Sequence, residues 1–250
     1  MAVTRARFYP VLSAMLFAWL YCYTAVGVFI AVIMAYTGMK KPLSLLTRYW
    51  AKSIFVFMGK PIKVEGMEYI ERGEKYILVA NHASLFDIVA IVSFYPGISW
   101  FGHERLLKVP VFGRILRLTD YVPFREPTYR NTRMMINSLV SKSKNNTIAI
   151  FPEGTRTLNG KINTFYRGFI HLYRNSDMEI LPVTLNGFYE LKPKNRSYIN
   201  FDARLGVIVH EPIKRERLEG KSDLEIIDAV RSIIASAYIN RDIQPECTSA

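Results

Sequence analysis

A chain of 250 residues, half of them hydrophobic, can bury one sizeable core and has little left for a second. Its two cysteines, Cys22 and Cys247, exclude a disulfide framework and a cysteine metal site. The net charge of +12 suggests an acidic partner, but the cations flank an apolar segment rather than interleaving with aromatic stacking platforms, which excludes nucleic acid.

The charge is concentrated at the amino terminus. Arg5, Arg7, Lys40, Lys41, Arg48, Lys52, Lys60 and Lys63 all precede the first acid, Glu65. Between the arginines and Lys40 lie the 32 uncharged, mostly apolar residues 8–39. As one helix they would reach roughly 48 Å against a hydrocarbon core near 30 Å. This length fits two short helices that enter and leave one leaflet, with Gly27 as the turn, or one long tilted helix. Basic residues at both ends give no clear orientation for a single crossing. A cleaved secretory signal is excluded, because its apolar region is only about half as long. Residues 1–64 therefore form a basic, apolar membrane-anchoring helical region, and residues 65–250 an α/β domain.

Within that domain strands are predicted at 76–80, 98–102, 120–124, 147–151, 180–185 and 201–209, and helices at 85–94, 105–118, 128–142 and 223–238. The alternation predicts a single mixed sheet with helices on both faces. The run Tyr76-Ile77-Leu78-Val79-Ala80 reads as a strand covered on both sides. Residues 109–118 mix Val111, Phe112, Ile115 and Leu116 with Arg114 and Arg117, which suits either a second surface on anionic lipid or an ordinary amphipathic helix.

Two constellations carry chemistry. The first, Asn81-His82-Ala83-Ser84-Leu85-Phe86-Asp87, sets a histidine and an aspartate five apart at a strand's exit, where ligands of open α/β sheets gather. His82 is the candidate general base. Asp87 also stands three after Ser84, so it can equally cap a helix's first turn; capping and catalysis can coexist there with one carboxylate oxygen for each. The second, Phe151-Pro152-Glu153-Gly154-Thr155-Arg156, follows another apolar strand and has the composition of an anion site. Gly154 permits close backbone approach, Thr155 adds a hydroxyl donor, and Arg156 can give a phosphate two parallel hydrogen bonds. Arg125 after strand 120–124 and Arg167 in Phe165-Tyr166-Arg167-Gly168 could converge on the same phosphate, although an isolated arginine is ordinarily a solvated surface charge.

Together these blocks resemble the glycerolipid acyltransferases, most closely those acting on 1-acylglycerol-3-phosphate. Asn81, His82 and Asp87 match the family's first block, Arg125 in Tyr121-Val122-Pro123-Phe124-Arg125 its second, Phe151 to Arg156 its third, and Leu181-Pro182-Val183 its fourth. In one departure, His103-Glu104-Arg105 stands where relatives carry a lysine ahead of Val109-Pro110-Val111-Phe112-Gly113. The resemblance implies transfer of a fatty acyl group from an acyl thioester to the sn-2 hydroxyl of lysophosphatidic acid, giving phosphatidic acid. His82 would be the base and Asp87 its orienting carboxylate; Arg125, Gly154, Thr155, Arg156 and Arg167 would hold the acceptor's phosphate, with Glu153 orienting an arginine or a glycerol hydroxyl. No Gly-x-Ser-x-Gly elbow is present, which favours direct transfer over an acyl-enzyme. No metal or cofactor is expected, the acyl carrier protein or coenzyme A thioester being a co-substrate. The implied place is monotopic, on an anionic membrane surface at the cytoplasmic face of the inner membrane. Glycerol-3-phosphate or another lysophospholipid as acceptor, a thioester hydrolase, and a non-catalytic acidic-lipid-binding protein are the alternatives.

Overall fold

The computed structural model describes residues 2–37, 39–110, 112–118, 121–124, 141 and 146–239. The apolar amino-terminal stretch forms one continuous helix, α1 (Ala2–Tyr36), followed by α2 (Lys40–Phe57). The turn expected at Gly27 is not there. A glycine among Ala, Val, Phe and Ile costs a helix only about 1 kcal/mol, too little to break it without a second breaker. Gly27 instead packs against α2, where a Cβ would sit 3.6 Å from the Trp50 ring. The pair is further joined by Trp50 Nε1 donating to Thr24 Oγ1 (3.2 Å) and by Tyr23 and Ser53 hydroxyls 2.8 Å apart. The two-helix motif is thus α1 with α2, rather than two halves of residues 8–39.

Among the described residues seven strands follow: β1 (Lys63–Glu65), β2 (Tyr76–Ala80), β3 (Ser99–His103), β4 (Val122–Phe124), β5 (Ile148–Ile150), β6 (Glu179–Asn186) and β7 (Gly206–Val209). Their order across the sheet is β1-β7-β6-β2-β5-β3-β4, parallel throughout except that β7 runs against β6. This is the mixed sheet the sequence predicts. β2 lies at the centre between β6 and β5 with all five residues buried, as its unbroken aliphatic run requires. Tyr76, Leu78 and Ala80 face one core with α2 and α3 (Phe86–Phe94); Ile77 and Val79 face the other with α5 (Gly168–Arg174) and α7 (Asp223–Ser236).

Four differences from the predicted elements have local causes. Strand 201–209 shrinks to β7 because Asn200 starts a turn, its side chain accepting from the Asp202 amide (2.9 Å) and its carbonyl from Ala203. Helix 105–118 splits into a 3₁₀ turn (Glu104–Lys108) and α4 (Phe112–Leu118), since Pro110 disfavours helical backbone just before it. β1 is a three-residue edge strand, too short and too polar to stand out. α5 and the single turn α6 (Phe188–Leu191) were hidden by their brevity. Helix 128–142, apart from Ser141, lies outside the described residues.

Candidate active site

The site is assembled where β2 and β5 end side by side. Leaving β2, the chain is pinned by Asn81, whose buried amide donates to the Leu185 carbonyl (3.0 Å) and accepts from the Leu185 amide (2.8 Å). Its side chain thereby continues the sheet's pairing with β6 for one more residue, and His82 leaves the sheet at a defined point.

His82 Nδ1 lies 2.8 Å from Asp87 Oδ2. That oxygen also accepts from the amides of Ala83 (2.6 Å) and Ser84 (2.7 Å), so three donors share it, while Oδ1 is buried without a partner among the described residues. The amides gathered at Asp87 belong to the turn before α3, which itself has no side-chain cap, so Asp87 orients His82 and grips that turn with one oxygen. A carboxylate can only accept, which assigns the proton to Nδ1 and leaves the Nε2 lone pair free. The imidazole is 15% exposed, and Nε2 reaches solvent with no hydrogen-bond partner among the described residues. One ring face is covered by Phe151, 4.0 Å between centroids at an interplanar angle of 13°, and Phe151 is backed in turn by Trp100 at 5.7 Å. The ring's plane and its outward nitrogen are thus both set.

Glu153, expected to orient an arginine or a glycerol hydroxyl, bonds backbone amides among the described residues. It is buried, and its carboxylate bridges two backbone amides, His82 to Oε1 (2.7 Å) and Asn163 to Oε2 (2.8 Å). Burial pushes its carboxyl up to about 7, opposed by those two hydrogen bonds. The return link is Thr157 N–H donating to the His82 carbonyl (2.9 Å), so His82 is held on both sides by the loop after β5. Gly154 turns that loop at φ 66°, a left-handed conformation that favours glycine, and its amide is spent on the Phe151 carbonyl (3.1 Å) rather than kept for an anion.

Among the phosphate-binding candidates, Thr155 is exposed and Arg156 half-buried. Arg156 makes no hydrogen bond or ion pair with the described residues, although it feels the Asp87 charge; burial lowers its pKa and Asp87 raises it. A half-buried guanidinium with its donors uncommitted is suited to an anion. Arg167 follows Tyr166, whose amide bonds the Pro152 carbonyl (2.8 Å), but its side chain is exposed and without a partner among the described residues. Arg125 lies outside the described residues. Of the three arginines, Arg156 is the one half-buried with its donors uncommitted among the described residues. Sequence reading missed the amide anchoring by Asn81 and Glu153 and the stacking of Phe151, although all three stand inside the two motifs. It also missed Lys192, whose carbonyl accepts from Ser84 Oγ (2.8 Å) and for which no motif gave a signal.

A sheet whose central strand ends in a His–Asp pair, beside a loop carrying an uncommitted arginine, has the chemistry to move a proton next to an anion. The more particular assignment comes from comparison. The acyltransferase family matches residues 61–186, half of the chain, and the protein belongs to that family. The 1-acyl-sn-glycerol-3-phosphate acyltransferase of Cocos nucifera is 27% identical over 179 residues, 70% of this chain and 57% of that one. A chloroplastic relative of the same description from Arabidopsis thaliana is 24% identical over 170 residues, 67% of this chain and 48% of that one. This chain thus spans about half the length of those relatives. The crystal structure of the 1-acyl-sn-glycerophosphate (LPA) acyltransferase PlsC from Thermotoga maritima shares the fold with a TM-score of 0.78 at 24% identity, covering 90% of this chain and 94% of that one.

Proposed function

We propose that the protein transfers a fatty acyl group from an acyl thioester to the sn-2 hydroxyl of 1-acylglycerol-3-phosphate, forming phosphatidic acid. The observation that carries this reading is His82 Nδ1 at 2.8 Å from the buried Asp87, which leaves Nε2 as the free base, in a site where Arg156 feels the Asp87 charge and has no hydrogen bond to the described residues. Nε2 takes the proton of the attacking hydroxyl as its oxygen bonds to the thioester carbonyl. The imidazolium so formed is stabilised by Asp87 and returns the proton to the departing thiolate, so the histidine ends as it began. Arg156 holds the acceptor's phosphate at a set distance from the base. Direct transfer is supported by Ser84, the hydroxyl nearest His82 in sequence: it is buried and donates to the Lys192 carbonyl, which leaves it poorly placed to attack. The relatives' descriptions support the acceptor; the donor is an acyl carrier protein or coenzyme A thioester.

The substrate's place in a bilayer fits α1, whose segment Phe8–Met34 is long and apolar enough to cross a membrane by length and composition. One face of its first half is docked on the α/β domain, with Tyr9 donating to Asp202 (2.6 Å) and Ser13 accepting from the Ile199 amide (2.9 Å). The opposite side exposes Phe8, Met15, Phe29 and Ile33. A helix held along one flank in this way lies in one leaflet more readily than it spans two, and the basic residues of 1–64 draw it toward anionic headgroups.

The test is product analysis with full-length protein in uncharged detergent, supplied with labelled acyl thioester and lysophosphatidic acid. Label should enter phosphatidic acid only with acceptor present, and His82→Ala should slow it by about 10² to 10⁴ without loss of fold. Free fatty acid released regardless of acceptor would make the protein a hydrolase. Full activity in His82→Ala would remove the base.

A further inference from the structure

We propose that Lys192 is a second cation of the anion site, acting with Arg156 to hold a phosphomonoester in front of His82. The proposal rests on the transfer reading above and adds a residue to it.

Lys192 stands 110 positions from His82 in sequence, yet two hydrogen bonds fix it beside the catalytic motifs. Its carbonyl accepts from Ser84 Oγ at 2.8 Å, two residues after His82. Three residues before it, Tyr189 donates its hydroxyl to the Leu158 carbonyl at 3.0 Å, two residues after Arg156. The segment 189–192 is therefore tied both to the His82 block and to the Arg156 loop. Asn81 reinforces the junction by clasping Leu185 in the strand that leads into α6.

The ammonium is held in place by its own turn. Nζ donates to the carbonyl of Arg196 (2.5 Å) and more weakly to that of Pro193 (3.4 Å), so one of its three donors is left over. Its neighbour Arg196 is otherwise committed, to the Glu190 and Tyr198 carbonyls and to the Tyr198 ring, and so serves as support. No carboxylate pairs with Lys192 among the described residues. Burial lowers its pKa, and the charges of Arg156 and then Arg196 lower it further. Two half-buried cations close enough to disfavour one another, neither in an ion pair among the described residues, are stabilised by an anion between them. A phosphomonoester can offer separate oxygens to the fork of Arg156 and the point charge of Lys192, and a second negative charge that a phosphodiester lacks. Lys192 would thereby help select monoester acceptors.

Two measurements test this. In steady-state assays in uncharged detergent micelles, Lys192→Gln should raise KM for lysophosphatidic acid about ten- to a hundredfold, with kcat changing less than about threefold. Lys192→Arg should restore most of the affinity. An unchanged KM, or a loss confined to kcat, would overturn the assignment. The second needs neither turnover nor a variant: acetylation of Lys192 by acetic anhydride in the wild-type protein, read by mass spectrometry. Glycerol 3-phosphate should slow it about tenfold while glycerol does not; equal labelling with and without the phosphate would refute the site. If the wild type makes no phosphatidic acid, the transferase reading fails, and the protection experiment still decides whether Lys192 binds an anion.

Discussion

Asp87 illustrates how one atom serves structure and chemistry together. Its Oδ2 collects two backbone amides and the His82 ring, so the bonds that hold the turn before α3 also fix the imidazole. Spacing in the chain offered capping and catalysis as rival explanations, and in the fold the carboxylate grips the turn carrying His82 rather than the first turn of α3. Glu153 is the second such residue, because His82 is suspended from its carboxylate. Its raised pKa has a consequence for stability. A carboxyl that titrates near 7 when folded and near 4.5 otherwise binds more protons in the native state between those values. Stability from this group is thus present at the acid end of that window and is lost as pH rises through about 7. Thermal unfolding should show wild type gaining stability from pH 7.5 to 5.5 relative to Glu153→Gln. The substituted carboxamide presents an NH₂ where an amide donor already points, and should cost about 1–3 kcal/mol near pH 5.5. A wild-type-minus-variant difference that does not change with pH would contradict the assignment of that titration to Glu153.

Among the elements, β2 does most to position the site, and its exit is where the local rules were legible. Continuous aliphatics marked a strand covered on both faces, and the polar residue after it marked the place where the chain leaves the sheet. What the sequence could not display was the cross-chain grip of Asn81 on Leu185, since the partner is a backbone group 104 residues away. Asn81→Ala leaves a buried N–H and C=O unpaired, which should cost about 2–4 kcal/mol and lower Tm by roughly 5–10 °C. Because His82 follows directly, activity should fall by more than the loss of folded protein explains. A thermally normal, fully active variant would show that the grip is dispensable. Short elements escaped for a plain physical reason: β1, α5 and α6 have three, seven and four residues, too few for a hydrophobic period to repeat.

Across the whole molecule, an α/β domain with α2 and α3 on one face and α5 and α7 on the other carries α1 along its side. The aromatic contacts of Trp19 and Tyr23 with Phe57 hold α1 to α2, and the far face of α1 is left apolar and exposed. If that face enters lipid, Phe29→Asp should weaken sedimentation with vesicles of phosphatidylcholine and phosphatidylglycerol by about tenfold or more, since an inserted apolar side chain is exchanged for a charge. The folded state in detergent should be unaffected, because Phe29 is 67% exposed. Unweakened sedimentation would place the membrane contact elsewhere.

By itself the sequence determined the elements whose signal is local and long: the apolar helical stretch at the amino terminus, the buried central strand, the late helix from Asp223, and the two motifs after apolar strands. Side-chain pattern along one segment is enough for these, because burial on one or both faces acts at fixed periods. Only the tertiary structure decided that α1 runs unbroken through Gly27, that Asp87 uses one oxygen for three donors, that Glu153 holds a backbone amide, and that Lys192 stands by Arg156. The last two are contacts between segments far apart in the chain, and the first two are set by what α2 and the loop after β5 pack against them. Their energies depend on where the sheet brings the segments together, which no residue announces alone.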